Sequence, residues 1–180
     1  FSPRETHWRG VLVDTHVQAN VSTGPVQHSL LAGFDYAKAR TTDEFTYATP
    51  AIASLDLYAP VYAGLPLTPS ANPYVDRIPS TQRGLYLQDQ LKWDKWVVTA
   101  GLRHDSADMS GTRTLTQPGT STLIYENADS ATTGRVGAVY LFDNGFAPYV
   151  NYATSFAPEI GKDITGAALK PSKGRQIEAG

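Results

Sequence analysis

Apolar and polar side chains alternate with a period of two through most of the chain. The alternation is clearest from Arg83 to Asp105, where two alternating segments meet at a turn formed by Asp94-Lys95. The apolar face of the second segment carries Trp96, Val98, Ala100 and Leu102 and ends at His104. This period belongs to a β-strand whose two faces meet different surroundings. A soluble sandwich strand shows the same pattern, so the hairpin by itself leaves the environment of the sheet open.

The same alternation recurs along the chain and predicts about seven strands of an all-β, antiparallel fold. We place them at Gly10–Asn20, Val26–Arg40, Arg83–Trp93, Trp96–Asp105, Thr132–Phe142, Phe146–Phe156 and Lys173–Gly180. Short turns are predicted at Val21–Pro25, Asp94-Lys95 and Asp143-Asn144-Gly145. Long loops are predicted at Thr41–Thr81, Ser106–Ala131 and Ala157–Ser172. The first loop is rich in proline, which argues against paired central strands there.

Short and long connections therefore alternate along the chain. Antiparallel strands with short turns at one end and long loops at the other are typical of outer-membrane β-barrels. Strands of about 10 residues also match a tilted crossing of the bilayer. About seven strands leave two open sheet edges, which cannot face lipid, so we expect a piece of a larger barrel. A soluble β-barrel or sandwich is the alternative, since it also uses hairpins at regular spacing.

Composition supports a barrel wall and excludes several other classes. Charged residues make up 18% of the chain, below the usual value of about 25%, and there are 10 Tyr, 6 Phe and 3 Trp residues. A net charge of −2 gives no indication of a nucleic-acid partner. The absence of cysteine excludes disulfides and cysteine-based metal sites. Because the chain starts at Phe1 and stops at Gly180 within a predicted strand, we expect a fragment cut at both ends.

Five segments carry a resemblance to a known family. They are Ser29–Arg40, Leu55–Tyr62, Gly84–Asp105, Val139–Pro158 and Leu169–Gly180. In this order they resemble the C-terminal half of the barrel of TonB-dependent ferric-siderophore receptors, most closely the ferrichrome (ferric hydroxamate) type. The match covers nearly the whole chain.

The resemblance implies that residues 1–180 are a partial receptor β-barrel domain in the bacterial outer membrane. The complete barrel of this family has about 22 strands around an N-terminal plug, lies in outer-membrane lipid and imports iron chelates with energy delivered through the TonB complex. The plug and the TonB-contact segment are absent from these residues. A ferric siderophore is the implied transported ligand, with no cofactor and no nucleic acid.

Phe45 and Tyr47 are the predicted ligand-binding residues, by resemblance to aromatics that face the external pocket. The iron of a ferric hydroxamate is already fully coordinated, so its receptor needs aromatic walls and hydrogen-bond donors rather than metal ligands. We therefore expect no metal site and no catalytic residue. The loop aromatics Tyr58, Tyr62 and Tyr74 are weaker candidates, which we expect to hold the proline-rich loop together.

Polar residues on the strands are expected to face the barrel lumen, where they contact the plug or pair with one another. They are Gln88, Gln90, Arg103, Asp105, Arg135, Asn151 and Glu178. The face of Gln88 and Gln90 stays open at this point, because Leu85, Leu87 and Leu91 alternate with Tyr86.

The histidines indicate neither an enzyme nor a metal site. His104 and Asp105 are neighbours in a strand and point to opposite faces, so they cannot form a simple acid–base pair. His7, His16 and His28 are too scattered to predict a metal site by spacing.

The sequence thus favours a segment of a TonB-dependent siderophore receptor, with the hairpin at Arg83–Asp105 serving as barrel wall rather than as binding site. A passive porin or adhesin-type barrel is one alternative. A soluble ligand-binding β-domain is another.

Overall fold

The computed structural model describes residues 4–46, 48–50, 58–60, 67–69, 73–115, 119 and 121–180. The strands are β1 (Arg4–Thr23), β2 (Val26–Phe45), β3 (Ala48–Pro50), β4 (Leu67–Pro69), β5 (Tyr74–Trp93), β6 (Trp96–Leu115), β7 (Ser121–Tyr140), β8 (Tyr149–Ala157) and β9 (Ser172–Ala179). The described part of the chain contains no helix long and apolar enough to cross a membrane.

Seven of these strands form one antiparallel sheet in the order β1-β2-β5-β6-β7-β8-β9. Each strand pairs with the next one in sequence, apart from the small separate ladder of β3 and β4 between β2 and β5. The predicted all-β antiparallel fold is confirmed. The strands β1 and β9 are the two edges of the sheet.

The tight turns lie where the sequence predicts them. β1 and β2 are joined through Gly24, which has a φ of 59°, and β5 and β6 through Asp94, which has a φ of 51°. Between β7 and β8, the Gly145 amide donates to the carbonyl oxygen of Phe142 at 3.1 Å. A left-handed backbone at Gly or Asp is the usual requirement of such short connections. All three turns lie at the same end of the sheet.

The first predicted long loop is shorter than expected, because the strands on both sides of it extend further. β2 continues beyond Arg40 to Phe45, and β5 begins at Tyr74. Pro79, which argued for a loop, lies within β5. Pro79 is paired with Arg40 of β2, whereas the pairing of β5 with β6 is interrupted at Ile78 and Pro79. Because proline has no backbone N–H, it interrupts pairing with only one of the two neighbouring strands.

The second predicted long loop, Ser106–Ala131, is wrong. β6 runs on to Leu115 and β7 starts at Ser121, so this polar stretch is an extended hairpin. Strand segments that project beyond the membrane have no need of an apolar face, and their Ser, Thr and Gly content therefore did not reveal them. The third predicted loop is confirmed, since β8 ends at Ala157 and β9 begins at Ser172.

The register divides the sheet into an apolar face and a polar face. The apolar face, which we call the outward face, carries Val17, Phe34, Leu85, Leu87, Leu102, Val136, Tyr152 and Ile177, all exposed in the isolated sheet. The polar face, which we call the luminal face, carries Gln88, Gln90, Arg103, Asp105, Arg135, Asn151 and Glu178. The open question about Gln88 and Gln90 is thereby settled in favour of the lumen.

Aromatic side chains gather at the turn end of the sheet. Trp93 is paired directly with Trp96, and the Trp96 ring meets Tyr140 edge-on with 4.9 Å between ring centroids. Phe142 packs in the same manner on Tyr140 at 4.6 Å, and Phe146 follows at 5.8 Å. Such a belt marks the level of the membrane–water interface in transmembrane barrels.

Candidate functional site

Arg103 and Arg135 on the luminal wall are paired with neighbouring polar side chains. Arg103 donates to both carboxylate oxygens of Asp35, at 2.6 and 3.0 Å, and to Asp105 at 2.6 to 2.9 Å. Arg135 donates to the side-chain oxygen of Gln88. These contacts correspond to pairing within the wall, which is one of the two expectations for the luminal residues, and they occupy hydrogen-bond donors of Arg103 and Arg135.

His104 and Asp105 point to opposite faces, as the strand period predicts. His104 lies on the outward face with Nδ1 3.0 Å from the Thr132 hydroxyl, whereas Asp105 binds Arg103 in the lumen. The described residues contain no group of three or more His, Cys, Asp or Glu side chains that could hold a metal ion.

An aromatic pair lies at the outer end of the luminal face. Phe45 is the last residue of β2 and Tyr74 the first of β5, and the two are paired in register. Their rings are stacked, with 5.2 Å between centroids and 28° between planes. The Arg113 guanidinium lies over the other side of this pair, 3.8 Å from the Tyr74 ring centre, in a cation–π contact.

Asp76 fixes the orientation of Arg113. The guanidinium donates two hydrogen bonds to the Asp76 carboxylate, at 2.8 and 2.7 Å, in the bidentate geometry that favours Arg over Lys. These hydrogen bonds raise the pKa of Arg113, which therefore stays charged. Asp76 itself is only 9% exposed, so the ion pair of Asp76 and Arg113 lies at the base of the outer luminal surface.

A second acidic group lies beside this pair on the same face. Asp43, directly opposite Asp76 in the register, accepts hydrogen bonds from the Thr6 hydroxyl at 2.6 Å and from Arg4 at 2.8 Å. Both bonds, that from Thr6 foremost, hold the pKa of Asp43 below its ordinary value. The two carboxylates are thus each neutralised by an arginine.

Tyr125 of β7 is the last residue of the group around Asp76 and Arg113. It lies opposite Gly111 of β6, and its ring covers the glycine so closely that an added Cβ would lie 2.4 Å from ring atoms. The side chain is 6% exposed, and its hydroxyl has no hydrogen-bond partner among the described residues. Burial, followed by the negative charges of Asp76 and Asp43, raises the pKa of Tyr125. We call Phe45, Tyr74, Asp76, Arg113 and Tyr125 the tip cluster.

The predicted aromatic residues have different outcomes. Phe45 lies on the luminal face of the tip, whereas Tyr47 and Tyr62 lie outside the described residues. Tyr58 is described and is 98% exposed. Tyr74 was expected to hold a loop together, but it is a strand residue stacked on Phe45.

Sequence reasoning missed Asp76, Arg113 and Tyr125, since all three were assigned to loops. Continued alternation in the stretch Ser106–Ala131 could have revealed two of them. The tip cluster offers a ligand the rings of Phe45 and Tyr74 and the oriented guanidinium of Arg113, while Tyr125 is buried and the Asp76 carboxylate is already paired.

The sheet is an antiparallel meander with an apolar outward face, an aromatic belt at its short-turn end and a paired polar luminal face. These features together define a wall segment of an outer-membrane β-barrel. Residues 2–180 match the family described as TonB dependent receptor-like, beta-barrel. The chain belongs to this family, which places it in the outer membrane of Gram-negative bacteria.

Two curated relatives are similar over almost the whole chain. One is the ferrioxamine B receptor of Salmonella typhimurium, 36% identical over 173 residues, which cover 94% of this chain and 23% of the relative. The other is the ferrichrome outer membrane transporter/phage receptor of Escherichia coli, 37% identical over 175 residues, which cover 93% and 22%. The chain thus spans less than a quarter of the length of either relative.

Solved structures show the same fold at lower identity. The siderophore receptor PiuA from Acinetobacter baumannii superposes with a TM-score of 0.72 and 18% identity, over 98% of this chain and 29% of that chain. The unliganded ferric citrate transporter FecA gives a TM-score of 0.67 and 19% identity, over 99% of this chain and 25% of that one.

Proposed function

We propose that the whole protein is an outer-membrane receptor that takes up ferric siderophores of the hydroxamate class. The observation that carries this proposal is the identity of 36–37% to a ferrioxamine B receptor and a ferrichrome transporter over more than nine tenths of the chain. Uptake in this proposal is coupled to TonB, through a plug domain outside these residues. The same relatives favour a receptor over a passive porin, an adhesin-type barrel or a soluble binding domain.

The tip cluster supports the choice of ligand. A ferric hydroxamate presents an oxygen-rich, compact surface around an iron that has no free coordination position, so binding rests on aromatic contact and hydrogen-bond donation. Phe45 and Tyr74 supply the aromatic contact, and Arg113 supplies the hydrogen-bond donor. Phe45 and Tyr47 stay the predicted ligand-binding residues, and the chemistry required of them is binding rather than catalysis.

A binding titration of the full-length receptor with ferrichrome and with ferrioxamine B tests the proposal. We expect the double variant Phe45→Ala, Tyr47→Ala to bind at least one chelate more weakly while still assembling as a barrel. Phe34→Ala is the matched control, because Phe34 is an aromatic on the outward face. Wild-type protein that binds neither chelate would refute the proposed ligand class. Unchanged affinity in the double variant would remove these two residues from the site.

A further inference from the structure

Asn127 connects β7 to a loop that belongs to the next hairpin. It lies on the luminal face, two residues from Tyr125, and is only 4% exposed. Its Nδ2 donates to the carbonyl oxygens of Glu159 and Leu169, each at 3.1 Å. Because carbonyl oxygens can only accept, these bonds require the NH₂ group of Asn127 to face the loop.

The two carbonyls lie near the two ends of the loop formed by residues 158–171, so Asn127 joins both of its arms. The loop is also ordered internally. Lys162 and Ala168 form a bridge, and the Leu169 amide donates to the Gly161 carbonyl at 3.1 Å. At its base, the Ser172 hydroxyl donates to the Glu159 carboxylate at 2.6 Å.

This attachment spans a gap in the sheet. The ladder between β7 and β8 runs only from the pair Val139–Tyr149 to the pair Arg135–Ala153. The outer part of β7, from residue 134 back to Ser121, has no ladder partner in β8. Beyond Ala153, β8 is paired with β9 alone, apart from bonds between the Thr154 hydroxyl and Gly134. Without the Asn127 contact, the outer part of this hairpin would have no described polar tie to the outer half of β7.

We propose that Asn127 is a positioning residue that holds loop 158–171 against β7 beside the tip cluster, so that the loop forms part of the ferric-siderophore binding surface. The assignment of the ligand rests on the proposed function. Successive residues on one face of a strand are about 6 to 7 Å apart, so the contact brings the loop next to Tyr125. The exposed side chains of Lys162 and Lys170 give the loop hydrogen-bond donors suited to an oxygen-rich chelate.

Asn127→Asp tests this clamp in the full-length receptor. The change keeps the size of the side chain but sets a carboxylate against two carbonyl oxygens, which removes both bonds. Asn20→Asp is the matched control, because Asn20 is an asparagine on the luminal face at the turn end of β1, and its Oδ1 accepts a hydrogen bond from Ser29 that a carboxylate also accepts. Asn127→Ala removes the donors without adding a charge and is used if the Asp variant does not assemble.

Two readouts separate positioning from a purely structural role. In Asn127→Asp without ligand, hydrogen–deuterium exchange of residues 158–171 should become about tenfold faster. The Kd for ferrichrome or ferrioxamine B should also rise about tenfold. Both changes are the size expected for loss of the net contribution of one or two hydrogen bonds. The thermal midpoint of the barrel and both readouts of Asn20→Asp should stay unchanged.

Unchanged exchange would show that Asn127 does not hold the loop, and faster exchange with unchanged affinity would show that the loop does not serve the ligand. Either result overturns the proposal. If the wild-type receptor binds neither chelate, the proposed function fails and the role in ligand binding fails with it, while the exchange measurement still decides whether the clamp exists.

Discussion

The guanidinium of Arg113 is held from two sides, by the face of the Tyr74 ring at 3.8 Å and by the carboxylate of Asp76 at 2.7 and 2.8 Å. A lysine could reach the carboxylate but could provide neither the planar stack nor the bidentate bond. The outer rim of the lumen therefore depends on an arginine at this position.

Arg113→Lys should lower the free energy of unfolding by about 1–2 kcal/mol, because a charge-assisted hydrogen bond to a nearly buried carboxylate is lost. Urea titration of the full-length receptor in lipid vesicles measures the change. Arg77→Lys is the control, since the described side-chain bond of Arg77 is a long one of 3.4 Å to Thr114, and it should stay within about 0.5 kcal/mol of the wild type. Equal losses in the two variants would contradict a special role for Arg113.

Tyr125→Phe should leave stability unchanged near neutral pH, or raise it by about 1 kcal/mol, because the lost hydroxyl is buried without a described partner. The difference in the free energy of unfolding between Tyr125→Phe and the wild type should grow above about pH 10. The folded protein holds the phenol proton beyond the ordinary pKa of 10.0, while the unfolded chain releases it there. Wild-type stability therefore falls as the pH rises through this range, and the Phe variant lacks this contribution.

Unfolding titrations at neutral and alkaline pH measure this effect, with Tyr58→Phe as the exposed control. A variant that is clearly less stable at neutral pH would show that the Tyr125 hydroxyl has a partner after all.

Leu102→Arg should impair insertion, since a charge on the lipid-facing side of a barrel strand costs about 2–4 kcal/mol near the bilayer midplane. Leu102 lies on the outward face and is 64% exposed in the isolated sheet. Leu12→Arg introduces the same side chain on the luminal face of β1, across from Ala37, and should be tolerated. Folding yield into lipid vesicles is the measurement. Similar yields for both variants would mean that the two faces are wrongly assigned.

Gly33→Ala should destabilise the wall by about 1–3 kcal/mol, because overpacking forces a neighbour out of place. An added Cβ would lie 2.3 Å from the ring of Tyr86, whose hydroxyl donates to Asp14 at 3.3 Å. Gly101→Ala is the matched luminal control, since its nearest neighbour would be 3.5 Å away. Replacing Tyr86 by leucine in the Gly33→Ala background should recover part of the loss. An equal cost at both glycines would argue against the contact.

Gly33 and Gly111 illustrate a relationship that only the register reveals. Each is paired across the ladder with a tyrosine, Gly33 with Tyr86 and Gly111 with Tyr125, and the ring lies over the glycine. Such aromatic cover of a strand glycine stabilises a position that glycine weakens. The two partners of each pair lie on different strands, so the alternation of residues within one strand contains no information about them.

The sequence by itself determined the fold class, the turns and, apart from the side on which Gln88 and Gln90 lie, the two faces of the wall. A period of two assigns each side chain to a face wherever one face must be apolar, and left-handed turn residues such as Gly24 and Asp94 mark the hairpins locally. Tertiary structure decided where the strands end and what lies at the tip. Beyond the lipid no apolar face is required, so the outer halves of β6 and β7 resemble loops in composition. The contact of Arg113 with Tyr74 depends on the register between β5 and β6, and the contact of Asn127 with loop 158–171 forms where β7 and β8 are not paired. The pattern of residues within one strand encodes neither contact.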